Sequence, residues 1–518
     1  MFVSKSKNKS GSVSVRVMEK RGRRNVMIKS FGASKDASVV AVLSKEAELY
    51  VKKRLGTLYD LFNPIPQPGI EGFIAGLSNA QVSVIGPELI FGRLFDSIGF
   101  GAIGDDMFRH LVISRLFLPG SKLKTVDYLL RYLGVAYDVS KIYRYLDKLC
   151  LREPKEGSSG LKDEVERITF EHSKASVGNT IDVVFYDIST LYFEAADEDD
   201  LRRTGFSKDG KFDCPQILLG LLITREGNPI SYEIFEGNLS EKKTFIPLLQ
   251  RAARKFNLGK PVVVADAGLL SKKNIEALVG DGYEYILGAR LRNESQSMKE
   301  KILGLGLQDG DVKIIMRDDG TRIVVSRTEK RRKKDAHNRE KGLQRLRKRV
   351  SSGKLGKKDI NNRGYNKYLR LEGQMTVSID MEAYEKDSRW DGIKGYVTNT
   401  ALPAQEVISQ YSNLWYIERA FRMNKTDLRV RPIYHRLRNR IEGHICISFT
   451  AYIIQLEIER MLKSARSKLT INRAREITKN MYQLKYTLPF QTQERTAILK
   501  MDLEQQELYD LVTEWIKK

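Results

Sequence analysis

Two short apolar runs, each tipped by an aspartate, constrain this chain more than any other feature. Ile181-Asp182-Val183-Val184-Phe185-Tyr186-Asp187 and Pro261-Val262-Val263-Val264-Ala265-Asp266 are rich in β-branched and aromatic residues and too short for helices, so both read as buried strands. Between them, 216–224 and 230–235 flank the turn-forming Arg225-Glu226-Gly227-Asn228-Pro229 as a hairpin. Residues 244–256 carry a helical repeat with Ile246, Leu249, Ala253 and Phe256 on one side. A capped helix over 271–279 and an apolar strand over 283–287 follow. The predicted order β, β, β, α, β, α, β makes a mixed sheet with helices packed on it. Open α/β sheets hold their sites at strand ends, so Asp187 and Asp266 become neighbours if their strands pair.

With 518 residues and 41% hydrophobic content, the chain can bury several cores, and its fold class is α/β multidomain. Residues 1–75 read as an N-terminal basic β-hairpin region, with runs at 13–17 and 25–29 joined by Lys20-Arg21-Gly22-Arg23-Arg24. Residues 76–175 turn helical, with segments near 87–98, 105–117, 122–133 and 139–150. There Ser140 is expected to cap a helix presenting Lys141, Tyr143 and Arg144 in the manner of a helix-turn-helix recognition element, although a plain helical bundle fits equally well. Residues 176–292 form the first part of the sheet core and 401–465 its second part. Between them 293–400 is too long for a loop and reads as a basic, β-rich insertion with strands near 312–316, 323–325, 375–379 and 395–397. Residues 466–518 are a mixed helical and basic C-terminal region. The longest apolar stretch, 445–462, is interrupted by Gln455, Glu457, Glu459 and Arg460, so it is a core helix rather than a membrane span. The first 30 residues lack the apolar block of a secretory signal, and a cytoplasmic location is expected.

Charge is concentrated. The net formal charge is +24, and residues 327–370 hold 18 Lys or Arg against four acids, a local excess of 14. A second run, 425–440, carries Lys425, Arg429, Arg431, Arg436, Arg438 and Arg440 against Asp427 alone. Such blocks suit a polyanion, because neutralising phosphates releases condensed counterions; a solvated arm is the bland alternative. Cys150, Cys214 and Cys446 form no C-x-x-C pair and read as buried small hydrophobes. His110, His172, His337, His435 and His444 show no H-x-x-x-H spacing, so metal chemistry would have to use carboxylates.

A third carboxylate would complete an all-oxygen cage for a hard divalent cation, and Glu418, on a helix expected over 403–425, is the candidate. On one regular helix Tyr411, Glu418, Arg422 and Lys425 share a face. Taken singly, Asp187 and Asp266 are ordinary strand-end acids, Asp182 and the Asp197-Glu198-Asp199-Asp200 cluster are rivals, and Glu418 could simply pair with Arg422. Trp390 and Trp415 could stack on an extruded base, but core packing is the simpler role for each.

At these residues the chain resembles a bacterial insertion-sequence transposase of the aspartate-aspartate-glutamate (DDE) class, of the insertion-sequence four type. That group has a ribonuclease-H-like core, a β-rich insertion before the glutamate and a tyrosine-arginine-glutamate-lysine signature spaced by two, three and six residues. Tyr411, Glu418 and Lys425 reproduce the spacing, while Leu414 stands where the group has arginine. The phrases Tyr186-Asp187-Ile188-Ser189-Thr190, Ala265-Asp266-Ala267-Gly268-Leu269-Leu270-Ser271 and Arg431-Pro432-Ile433-Tyr434-His435 extend the resemblance over roughly 180–460.

The resemblance implies phosphoryl transfer at the ends of a mobile element, with two Mg2+ or Mn2+ ions held by Asp187, Asp266 and Glu418. Tyr411 and Lys425 would grip the phosphate at the cleaved end, with Arg422 and His435 as helpers. The basic insertion, through Arg331, Arg332, Lys333, Lys334, Arg345, Arg347, Lys348 and Arg349, would hold flanking DNA, and the preceding helical DNA-binding region, with Lys141 and Arg144, would read the terminal repeat. Implied partners are double-stranded DNA (element terminal inverted repeats and target DNA) and a second copy of the chain in a synaptic complex, at the nucleoid, with no membrane. The competing readings are a ribonuclease-H-like structure-selective nuclease, which cuts without joining, and a non-catalytic DNA-binding regulator derived from a transposase.

Overall fold

A computed structural model of the chain describes residues 1–8, 10–22, 24–55, 73–74, 76–150, 160–195, 197–207, 210–269, 271–352, 355, 359–361, 364–372, 376–488 and 491–517. Arg23 of the expected N-terminal turn, Leu270, Met375 and the cations Lys354, Lys357, Lys358 and Arg363 lie outside the described residues.

The chain opens with β1 (Phe2–Lys7), β2 (Val13–Arg21), β3 (Arg24–Ser34) and α1 (Ala37–Leu55). After β4 (Val82–Val84) come α2 (Arg93–Ile98), α3 (Asp106–Phe117), α4 (Lys122–Leu133), α5 (Val139–Leu149) and α6 (Leu161–Ala175). The middle runs β5 (Val183–Tyr192), β6 (Gln216–Thr224), β7 (Pro229–Glu236), α7 (Phe245–Phe256), β8 (Val262–Ala265), α8 (Lys272–Gly280) and β9 (Tyr285–Gly288). Next are α9 (Gln296–Gly304), β10 (Val312–Met316), β11 (Arg322–Arg327), α10 (Glu329–Ser351), β12 (Leu369–Glu372), β13 (Thr376–Ile379), α11 (Met381–Ser388) and β14 (Ile393–Thr398). The chain closes with α12 (Ala404–Ser412), α13 (Trp415–Arg422), α14 (Arg438–Ser464), α15 (Ile471–Thr478), β15 (Tyr482–Thr487), β16 (Glu494–Ile498) and α16 (Leu503–Trp515).

These elements form two compact units. One comprises Met1–Ile90, Ser121–Ile142 and Asn472–Asp510; the other comprises Phe91–Gly120, Tyr143–Ile471 and Leu511–Lys518. In the first unit the expected hairpin is the β2–β3 part of a three-stranded antiparallel sheet, and α1 covers it through Val15, Val17, Leu43 and Ala47. A second sheet, β16-β15-β4, pairs segments almost four hundred residues apart, so the C-terminal region is not simply helical. The expected helix pair is present as α4 and the start of α5. Ser121 caps α4 by accepting from the Lys124 amide at 3.3 Å, and Gly134, at φ +68°, ends it in the left-handed conformation that glycine adopts at little cost. Ser140 is not the cap of α5: Asp138 accepts from the Ser140 amide at 3.3 Å, because the helix begins one residue before that serine.

The second unit is organised by an eight-stranded sheet in the order β10-β11-β14-β9-β8-β5-β6-β7. Strands β5, β8 and β9 pair in parallel, and the other pairings are antiparallel. All nine residues of β6 are buried, as expected for a strand covered on both faces. On one face Val184, Tyr186, Val263, Ala265, Tyr285, Leu287 and Val397 pack against Phe245, Leu248 and Leu249 of α7 and Leu278 of α8. Each such buried side chain contributes about 1.5–3 kcal/mol relative to exposure. On the other face α14 brings Phe449 to 4.6 Å from the Tyr232 ring, and its residues Ile445 to Ile454 are buried, as the core-helix reading expected. No described helix is long and apolar enough to cross a membrane. Glu166 of α6 is fully buried beside the edge strand β7 and links three elements, accepting from Arg251 of α7 at 2.6 Å, Lys255 at 2.7 Å and the Ser231 hydroxyl of β7 at 2.8 Å.

The insertion departs from expectation in two ways. Strands β10, β11 and β14 do not form a body of their own; they extend the core sheet beyond β9. The basic block is largely the 23-residue helix α10, whose Leu343 and Leu346 are buried, with Leu346 packed with Tyr368, Leu369 and Val377, so the insertion is mixed rather than β-rich. Periodicity signals the strands, but the charge of α10 masks its narrow apolar stripe.

Candidate active site

Asp266 directly follows the last residue of β8, whereas Asp187 lies inside β5, which runs on to Tyr192. Because β8 stops at Ala265, Asp187 sits where β5 loses that neighbour while keeping β6. Three registers align a row across the sheet. Tyr186 pairs with Ala265, Ala265 with Leu287, and Gly288 with Tyr396. Tyr186, Ala265 and Leu287 face α7 and α8, so alternation turns Asp187, Asp266, Gly288 and Tyr396 to the opposite face. Neighbouring strands lie ~4.8 Å apart, so Asp187 and the tip of β8 that carries Asp266 belong to adjoining strands.

The helix over that face is not regular. α12 ends at Ser412, α13 starts at Trp415, and a π-helical turn, Met423–Asp427, follows. Tyr411, Glu418, Arg422 and Lys425 therefore do not lie on one continuous 3.6-residue face. α12 packs over β8, β9 and β14, and α13 over β5. Tyr411 is buried and donates its hydroxyl hydrogen to Asp266 Oδ1 at 2.9 Å, so it holds a carboxylate here rather than standing open for a phosphate. Burial, and then the adjacent Asp266 carboxylate, push the Tyr411 phenol far above its usual range, which keeps it a donor. The close approach depends on Gly288, because a Cβ there would stand 2.4 Å from the Tyr411 hydroxyl oxygen.

Glu418 and Arg422 are both exposed, and neither side chain makes an ion pair or hydrogen bond among the described residues. Arg419 is instead paired with Glu459 of α14. Lys425 is half-buried in the π turn, and the His435 ring lies 6.1 Å from that of Tyr143 and 5.3 Å from that of His444. The second basic run is partly neutralised: Arg436 meets Asp197 at 3.4 Å, Arg438 meets Asp200 at 3.5 Å and Arg440 meets Asp147 at 2.5 Å. This gives the rival acidic cluster an ion-pairing role, and Asp182 is likewise paired with Arg225 at 3.0 Å.

On α10, Lys333, Lys334, Arg345, Arg347, Lys348 and Arg349 are exposed. Arg331 pairs with Asp335 at 3.5 Å, Arg332 with Glu329 at 2.6 Å and Arg349 with Asp359 at 3.1 Å. Lys141 and Arg144 are exposed on α5. Trp390 packs partly against the core, but Trp415 is 47% exposed and stacks on Tyr416 at 4.0 Å, contrary to the core role expected for it. Cys150 and Cys446 are buried as expected, while Cys214 is only half-buried.

Several residues at the site were missed in the sequence. Lys394 on β14 places its ammonium 4.4 Å from the Tyr411 ring centroid and 5.3 Å from that of Tyr396. Burial, and then Arg331, hold its pKa below the usual lysine range, against the opposing pull of Asp266 and Glu418. The strand expected over 395–397 stops short of it, whereas β14 begins at Ile393. Arg290 donates to the carbonyls of Ala267 (2.9 Å) and Gly268 (3.2 Å), and Asn274 to those of Leu269 (2.9 Å) and Lys242 (3.0 Å), so the loop bearing Asp266 is clamped. Glu241, the residue before Lys242, also approaches: its Oε2 and Asp266 Oδ2 lie 3.6 and 3.7 Å from where a Cβ on Gly268 would stand.

The donor chemistry around Asp266 is carboxylate oxygen, which suits a hard divalent cation. Among the described residues no three of His, Cys, Asp and Glu stand close enough to hold one ion. Asp187, Asp266 and Glu418, on the adjoining helix, are therefore not gathered into one group here.

The transposase DDE domain family matches residues 192–454, 263 of the 518 residues. The matched segment holds Asp266, Lys394, Tyr411, Glu418 and Lys425 and begins five residues after Asp187. No curated protein matches the chain. Among solved structures, a piggyBac transposase synaptic complex with hairpin DNA is similar at 9% identity and a TM-score of 0.38, over 84% of this chain and 80% of that one. A Mos1 transposase paired-end complex with the left transposon end is similar at 12% identity and a TM-score of 0.15, over 47% and 66%. These structural likenesses are distant, and the assignment rests on the domain match. Over half its length the chain is a DDE transposase domain, and it belongs to that family of polynucleotidyl transferases, which generally use divalent metal ions.

Proposed function

We propose that this transposase cuts DNA at the ends of an insertion sequence and joins the freed ends to target DNA, with Asp187, Asp266 and Glu418 as its carboxylate centre. The observation that carries the reading is the row Asp187, Asp266, Gly288, Tyr396 on one sheet face, capped by the two helices that bear Tyr411 and Glu418. The sheet order β7-β6-β5-β8-β9, a meander followed by two parallel strands, supports a ribonuclease-H-like core for it.

The three carboxylates are the groups that would hold Mg2+ or Mn2+, two ions in this reading. When bound, such ions activate the attacking oxygen and stabilise the leaving one. Tyr411 orients Asp266, Arg290 and Asn274 keep its loop in place, and Lys425 and Arg422 grip the phosphate at the cut end. The exposed cations of α10 hold flanking duplex DNA, and Lys141 and Arg144 of α5 contact the terminal repeat. The partners in this reading are the element's inverted repeats, target DNA and a second copy of the chain. Sequencing the DNA beside the gene for short inverted repeats supplies the substrate. A strand-transfer assay with those ends, fluorescently labelled, then tests the reading. Joined product supports it, cutting without joining indicates a nuclease, and binding alone indicates a regulator.

A further inference from the structure

We propose that Lys394 binds the scissile phosphate beside Asp266, supplying from β14 the cation that Leu414 does not. The inference rests on the carboxylate-centre reading above. Leu414 is buried at the start of α13 and has no charge to offer an anion. Lys394 is differently placed. Gly288 pairs with Tyr396, and β14 runs antiparallel to β9, so Lys394 lies two residues further along, past the C-terminal end of β9 and on the same sheet face as Asp266.

That position opens on a cavity of about 770 Å³, large enough for a nucleotide-sized group, whose wall includes Asp266, Tyr411, Arg331 and Lys394. The other cations on the wall are already engaged, Arg290 by the carbonyls of Ala267 and Gly268 and the rest by carboxylates. Arg292 and Lys367 meet Asp387 at 2.5 and 2.9 Å, Arg339 is paired with Asp391, and Arg331 meets Asp335 at 3.5 Å. The Lys394 side chain makes no ion pair or hydrogen bond among the described residues; what its ammonium lies against are the rings of Tyr411 and Tyr396. Ring faces compensate a partly desolvated ammonium only in part, which leaves it disposed to take an anion. The Tyr411 hydroxyl is tethered to Asp266, so the same side chain that orients the carboxylate also fixes the ring beneath Lys394. A phosphodiester lying against Asp266 is the anion this geometry serves, with the ammonium as a point charge.

Lys394 could instead be only a staple between β14 and α12, and the test separates the two roles. Binding is measured in a Glu418→Gln background with Mg2+, on the element's terminal duplex carrying either a natural phosphate or an uncharged methylphosphonate at the cleavage point. The parent variant should prefer the natural end by about tenfold, the size of one charge-assisted hydrogen bond. Adding Lys394→Met, which keeps the stem and removes the charge, should abolish that preference, and Lys394→Arg should restore most of it. A preference that survives Lys394→Met overturns the proposal, as does an equal loss of affinity for both ends with a lowered melting temperature. If Glu418→Gln still cuts the natural end, the carboxylate-centre reading fails; if it does not cut and the preference survives, only the Lys394 inference fails.

Discussion

Tyr411 donates its hydroxyl hydrogen to Asp266 Oδ1 at 2.9 Å through the space that Gly288 leaves by having no side chain. One glycine on β9 therefore couples a helix outside the sheet to an aspartate at the tip of β8. A Gly288→Ala substitution should push the tyrosine off the carboxylate, because no real Cβ tolerates an oxygen at 2.4 Å. Tyr411→Phe removes the same hydrogen bond without crowding. Both should slow cleavage by about tenfold, the scale of one lost buried hydrogen bond, while duplex binding stays within about twofold. Single-turnover cleavage beside a binding titration checks this, and wild-type cleavage in Tyr411→Phe would show that Asp266 needs no such orientation.

Asp187→Asn, Asp266→Asn and Glu418→Gln should each abolish cleavage and leave end binding nearly intact, since each amide keeps the shape and loses the charge that a divalent cation requires. Retained cleavage in any one removes that residue from the centre.

Glu166 gives the fold a pH dependence of defined sign. Burial alone would raise its pKa, but Lys162, Arg251 and Lys255 outweigh burial and hold it at about 2, against an ordinary value of 4.5. Its contribution is therefore complete above pH 4.5 and lost as pH falls toward 2. Glu166→Gln should cost about 3 kcal/mol at neutral pH and flatten the acid limb of the stability curve. Denaturant titrations at pH 7 and pH 3 measure both; an acid limb as steep as the wild type's would assign it to other carboxylates.

Neutralising Lys333, Lys334, Arg345, Arg347 and Lys348 on α10 should weaken duplex binding and reduce the slope of log K against log salt by about 0.9 for each DNA phosphate that the helix no longer neutralises. Arg332 should contribute less, being engaged by Glu329 at 2.6 Å. An unchanged slope would make α10 a solvated helix without a DNA role.

Arg422→Ala should reduce joined product more than Arg419→Ala. Arg422 is exposed beside Glu418, whereas Arg419 is committed to Glu459 on α14. Arg419→Ala should instead show itself as a small loss of thermal stability, about 1 kcal/mol or less for a partly exposed pair. Quantifying joined product together with melting temperature distinguishes the two, and the reverse order would reassign the facing of α13.

Local patterning was enough to determine the strand and helix order from β5 to β9, the apolar strand segments that carry the two aspartates and the burial of α14, because apolar periodicity and turn residues act within a few positions of themselves. The end of β5, the break between α12 and α13, and the joining of β10, β11 and β14 to the core sheet depended on pairing across tens to hundreds of residues, which no local window registers. The same holds for the site. Asp187, Asp266 and Glu418 could be picked out by residue type and spacing, but Gly288, Arg290 and Lys394 matter only through what lies across the sheet from them. Residue type marks which side chains can hold a metal or a phosphate; registers between distant strands decide which of them meet, because backbone hydrogen bonds set neighbouring strands ~4.8 Å apart whatever their separation along the chain.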